Sequence, residues 1–140
     1  MEREYIAEWF SFADMDLATA EHLISTMHPQ PLEIICYHCQ QAAEKYLKGY
    51  LFYKCVEPPK THDLVDLNDI CADVDGRFSS IDKACGILTR YGVQPRYPHE
   101  IGITINDTLK ALECARQVRD FEHVEEVRRI TSVSNDDIIE

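Results

Sequence analysis

Residues 36–51 read CYHCQQAAEKYLKGYL, and Lys60-Thr61-His62-Asp63-Leu64 follows within a dozen residues. Ile35, Cys39, Ala42, Tyr46 and Tyr50, with Cys36, Ala43, Leu47 and Leu51 beside them, recur at helical spacing and predict a helix over about 32–53. Gln41, Lys45 and Lys48 form a mixed polar stripe on it, and Glu44 with Lys48 is an i, i+4 ion pair worth ~0.3 kcal/mol on a surface. Glu57-Pro58-Pro59 stops this helix. Thr61 then reads as an N-cap, with Asp63 in the first turn of a short third helix running to about Ala72.

Working outward, Ile6, Phe10, Ala13, Leu17, Ala20, Ile24 and Met27 alternate by four and three and predict a long N-terminal helix, with Trp9 flanking its apolar stripe. His28-Pro29-Gln30-Pro31 ends that helix and turns the chain back. Asp75-Gly76 marks another turn. Ser79 or Ser80 with Asp82 starts a fourth helix carrying Ile81, Ala84, Cys85, Leu88 and Tyr91. GVQPRYPHEIGI at 92–103 reads as the longest irregular stretch inside the fold, the kind of loop where binding groups collect. Thr104 or Asn106 begins one last long helix with Ile105, Leu109, Leu112, Ala115, Val118, Phe121 and Val124 on one side, ending near Arg129. The pattern predicts an all-α, antiparallel up-and-down bundle of about five helices over 1–130, with 131–140 a short, polar, frayed tail.

A chain of 140 residues can bury one hydrophobic core, and its 45% hydrophobic and 28% charged composition is that of a globular protein. No apolar run is long enough to span a bilayer and MEREYIAEWF is not a signal peptide, so no membrane association and a cytoplasmic location are expected. The six cysteines then stay reduced, as core thiols. A net charge of -11 disfavours broad attraction to nucleic acid, so any such site is local. Lys45, Lys48, Lys54 and Lys60 outnumber Glu44 and Glu57 between 36 and 61, which makes that window the candidate.

Cys36 and Cys39 resemble half a zinc site, but no second CxxC or HxxxH supplies the other ligands, so no metal and no cofactor are expected. Lys45 and Lys48 with Gln41 either hold phosphates or form a solvated helix face. His62 is either a phosphate or base contact or a local hydrogen-bonding residue at a helix start. Arg96 offers a planar fork for phosphate and Tyr97 a stacking face for a base, although Arg96 is equally suited to bridging to Asp14 or Asp16.

Four segments together, Trp9 with Ala13, Asp16, Leu17 and Ala20; Gln41 to Lys48; Lys60 to Leu64; and Tyr91 followed by Arg96-Tyr97-Pro98, resemble the HEPN domain, the module named for higher eukaryotes and prokaryotes. The resemblance covers Trp9 to about Val124 and implies a helical bundle that forms a homodimer, binds nucleotide or RNA, and acts with a minimal nucleotidyltransferase partner in a toxin-antitoxin-like pair. Its nucleotide- or RNA-binding residues would be Gln41, Lys45, Lys48, His62, Arg96 and Tyr97. Some members are metal-independent endoribonuclease toxins, marked by an arginine and, four to six residues on, a histidine near the start of the last long helix. Here Arg90 and His99 have eight residues between them and Arg96 and His99 have two, so the motif is not met. Arg116 and His123 have six, but fall inside the last helix, and roughly one such pair arises by chance in a chain of this composition. Arg96 and His99 remain the catalytic candidates for a nuclease reading, and a purely structural dimerisation partner is the third.

Overall fold

The computed structural model describes residues 2–92 and 102–132. Six α-helices follow in order: α1 Glu2–Thr26, α2 Leu32–Tyr53, α3 Leu64–Val74, α4 Asp82–Leu88, α5 Ile105–Asp120 and α6 Glu122–Ser132. Turns of 3-10 helix at Gly76–Ile81 and Thr89–Tyr91 flank α4, and there is no strand among the described residues. The all-α bundle read from the periodicity is therefore the observed architecture.

The α1–α2 hairpin is the spine. Ile6, Phe10, Ala13, Leu17 and Ala20 are buried against α2 as the spacing predicts, whereas Ile24 is only half-buried and Met27, beyond the helix end, is exposed. Gln30 Nε2 donates to the Ile24 carbonyl at 2.8 Å, closing the turn by satisfying an oxygen near the end of α1. α2 lies at the centre and packs against α1, α3, α4, α5 and α6. Its small residues let neighbours come close: a Cβ on Gly49 would meet two Phe10 ring carbons at 3.0 Å and the Trp9 Cβ at 3.3 Å. Gly49→Val is therefore expected to destabilise the fold by about 1–3 kcal/mol through overpacking, read as a lower urea midpoint at unchanged slope.

Two helix starts differ from the sequence reading. The cap of α3 is Asp63, whose side chain accepts from Val65 N at 2.9 Å and Asp66 N at 3.3 Å, while Thr61 Oγ1 accepts from Asp63 N at 3.1 Å. Thr61 thus braces the cap from two residues upstream. Ser79 and Ser80 lie within the 3-10 turn, and α4 starts at Asp82, which accepts a hydrogen bond from the buried Asn68.

The last helix is two. Of the two starts read from sequence, Thr104 and Asn106, it is Thr104 that caps α5, in a reciprocal box with Asp107, but Phe121 leaves helical geometry at ψ 128°. Its ring packs on Phe78 at 4.7 Å and His123 at 5.2 Å, so the break seats an aromatic side chain and re-aims α6 to bury Val124, Val127 and Thr131. α6 then continues through Ser132, past the Arg129 expected from sequence. The buried side chains of all six helices form one contiguous cluster. No helix among the described residues is long and apolar enough to cross a membrane.

Candidate functional site

The polar face of α2 is organised around Glu44, which the sequence presented only as half of a surface ion pair. Its side chain is 7% exposed and that of Lys48 11%, so the pair is buried. Lys48 Nζ donates to Glu44 Oε2 at 3.0 Å, Gln40 Nε2 donates to Glu44 Oε1 at 3.2 Å, and His62 Nδ1 approaches the same oxygen at 3.0 Å. An ionised carboxylate accepts only, so Nδ1 of His62 carries its proton toward Glu44. The His62 side chain is 72% exposed, which leaves Nε2 as the ring atom offered outward.

His62 is held from both sides. Its carbonyl accepts from Gln40 Nε2 at 2.9 Å, and the α3 cap begins at the next residue. Thr89 Oγ1 accepts from Leu64 N at 3.0 Å and donates to Asp63 Oδ1 at 3.4 Å, fixing the end of α4 to the start of α3. A Cβ on Gly92 would lie 3.3 Å from Gln40 Nε2, so the absence of a side chain there lets the backbone pass against the cluster. Residues 93–101 follow in sequence from this point. Arg96, Tyr97 and His99 all lie outside the described residues.

Of the residues singled out from sequence, the structure brings together Gln41, Lys48 and His62. Gln41 Nε2 donates to Gln40 Oε1 at 2.7 Å and so joins the Glu44 cluster from its edge. Lys45 belongs to a neighbouring group: it donates to Asp16, which also accepts from His38 Nδ1 at 2.9 Å. Burial opposes ionisation of Asp16, but the hydrogen bonds from His38 and Lys45 outweigh it and hold this carboxyl below its usual range. Both lysines therefore meet a carboxylate within the fold, so the expected cationic stripe is two compensated clusters. Asp14, the other partner considered for Arg96, is taken by Arg128 at 2.9 Å and by the Tyr46 hydroxyl.

The sequence reading missed Gln40, His38 and the hub role of Glu44. Gln40, Glu44 and Lys48 stand at i, i+4 and i+8, a spacing that places three polar groups on one helix face. That signal was present, but nothing in it says the face is covered. Cys36 and Cys39 are fully buried, and burial pushes both thiols up, as core cysteines require. Arg116 and His123 do not form a pair: Arg116 Nη2 binds Glu21 at 2.9 Å on α1, whereas His123 packs over Phe78 with Nε2 3.7 Å from Asp75.

The profile of the HEPN domain matches residues 6–127. The chain is also similar to a solved structure, the crystal structure of TT1696 from Thermus thermophilus, at 25% identity and a TM-score of 0.71, covering 89% of this chain and 98% of that one. No curated protein matches it.

Proposed function

This chain belongs to the HEPN domain family, and from that premise we propose that it binds nucleotide or RNA at the Glu44–His62 cluster and acts beside a minimal nucleotidyltransferase in a toxin-antitoxin-like pair. The observation that carries the reading is an exposed imidazole fixed by a buried carboxylate, beside the residue after which the segment bearing Arg96 and Tyr97 begins. His62 and Gln41 are the contacts at the rim. Lys48 acts from behind, cancelling the charge of Glu44 so that a protonated His62 presents net positive charge to a phosphate. Lys45, sharing Asp16 with His38, does the same on the neighbouring face, while Arg96 and Tyr97 supply a fork for phosphate and a surface for a base.

His62→Ala is expected to weaken binding of a fluorescein-labelled RNA oligonucleotide or of ATP by about tenfold, the worth of one charge-assisted hydrogen bond. Arg96→Glu weakens it further, with the helical circular dichroism unchanged in both. Unaltered affinity in the two variants removes the site.

A second reading, metal-independent endoribonuclease, is favoured by the same imidazole. Tethered through Nδ1, a neutral His62 offers Nε2 as a base toward a ribose 2′-hydroxyl, with Arg96 stabilising charge on the phosphate and His99 the other candidate for proton transfer. RNA cleavage that persists in chelator, spares DNA and is lost in His62→Ala supports it; intact RNA under those conditions rejects it.

A further inference from the structure

The carboxylate–imidazole arrangement at Glu44 occurs a second time on α2. Asp16 of α1 accepts from His38 Nδ1 at 2.9 Å and from Lys45 Nζ. Glu44 is approached in the same way by His62 Nδ1 and by Lys48 Nζ, each at 3.0 Å. Each carboxylate thus holds one imidazole and one ammonium. An ionised Asp16 only accepts, so His38 Nδ1 carries its proton. Nε2 is then left over, on a side chain 27% exposed and with no hydrogen bond among the described residues. A brace between α1 and α2 needs only the Lys45–Asp16 pair, and buried Phe10, Ala13 and Leu17 already close that hairpin. The imidazole is the part that bracing does not account for.

Helical spacing sets the two groups side by side. His38 and Lys45 lie along one line of α2, and Glu44 and Lys48 along another about a quarter turn around it, roughly 7–8 Å away at side-chain radius. Gln41 stands between them, three residues from His38 and three from Glu44, and its amide is tied to Gln40 at 2.7 Å. We propose that His38 is a second phosphate contact, so that the ligand is held through two phosphate groups at once, one at each imidazole and each with uptake of one proton. The inference rests on the reading of the Glu44–His62 cluster as the ligand site. Charge accounts for the proton. With its ring neutral, each group of carboxylate, ammonium and imidazole sums to zero; with its ring protonated, each carries one positive charge toward a phosphate. The groups that set this balance are Asp16 of α1 and Lys45 of α2 at His38, with Tyr37 beside it, and Glu44 and Lys48 of α2 at His62. Lys60 and Asp63 flank His62 on its own connection, and Arg90, next to the Thr89 that bonds Asp63, lies over the Tyr91 ring. One phosphate group is too small to bridge the two imidazoles, so a nucleotide with a single phosphate meets only one of them.

The test is the affinity of the full chain for a fluorescein-labelled RNA oligonucleotide at pH 6 and pH 8, between which phosphodiesters do not titrate. A ring whose proton is held more tightly in the complex binds more weakly as pH rises, by about tenfold per imidazole over this range. Wild-type affinity therefore falls on the order of a hundredfold. His38→Gln, which keeps an amide donor for Asp16, binds about tenfold more weakly at pH 6 and retains only about a tenfold fall to pH 8. His38→Lys, whose charge does not titrate here, shows the same reduced fall but keeps the wild-type affinity at pH 6. AMP at pH 6 is bound equally by wild type and His38→Gln. The remaining histidines are common to all three proteins, and circular dichroism checks that each is folded. A pH dependence left at the wild-type value by both substitutions makes His38 a brace and overturns the inference while His62 keeps its place. Equal losses of AMP and RNA in His38→Gln overturn the two-phosphate assignment. Wild type that binds RNA at neither pH removes the site itself, and this inference with it.

Discussion

Replacing Glu44 with alanine is expected to lower the free energy of unfolding by about 3–5 kcal/mol, the range found when one partner of a buried ion pair is deleted. The loss is large because three groups depend on that carboxylate. The Lys48 ammonium, 11% exposed, is left without its counter-charge; Gln40 Nε2 and His62 Nδ1 lose an acceptor. A buried cation without a partner costs more than the pair contributed when intact. The double variant Glu44→Leu with Lys48→Met is therefore expected to recover most of the lost stability, since apolar side chains of similar volume often replace a buried pair at little cost. Urea unfolding followed by circular dichroism measures both. A single-variant loss under about 1 kcal/mol, the value of an exposed pair, would show that water reaches the cluster and screens it.

Phe78→Ala is expected to cost a similar amount, about 3–5 kcal/mol, by a different route. Phe78 is fully buried within the 3-10 turn between α3 and α4, where its ring lies 4.5 Å from Tyr50 and 4.7 Å from Phe121. These contacts join α2, the α3–α4 connection and the α5–α6 break. Deleting the ring opens a cavity that three separate elements would have to move to fill, so collapse relieves little of the loss. Phe78→Leu keeps much of the volume and is expected to lose less than half as much. Against a typical total stability of ~5–15 kcal/mol, either alanine variant stands close to unfolding at body temperature. Equal thermal midpoints for wild type and Phe78→Ala would remove the ring as the keystone of this region.

Much of the fold was legible because periodicity reports burial directly. The buried residues of α1 up to Ala20 were named from spacing, as was the extent of α2, and Thr104 was one of the two starts read for the last long helix. The break at Phe121 was not legible, because neither proline nor glycine marks it; the cause is a distant ring, Phe78, that draws Phe121 out of register. The Thr61 cap was misplaced for a local reason: Asp63, two residues on, is an equally competent cap, and Thr89 from another helix decides between them. At the site, charge could be counted but not paired. Lys45 and Lys48 appear as a cationic stripe in one dimension, whereas Asp16, twenty-nine residues away from Lys45, neutralises one and the other turns inward to Glu44. His62 was open between a ligand contact and a local hydrogen-bonding residue, and its partner, Glu44, lies on a different element, α2.

The position of α2 bears on how this protein can diverge. Surrounded by five other helices, it carries both the scaffold and the polar groups behind the imidazole, so substitutions along it act on stability first. Two places named in the proposed site lie outside α2: His62, on the connection to α3, and residues 93–101, which follow Gly92 in sequence. On the proposed reading, natural variants that differ in ligand preference carry their changes at those two places, while the central rod stays nearly fixed.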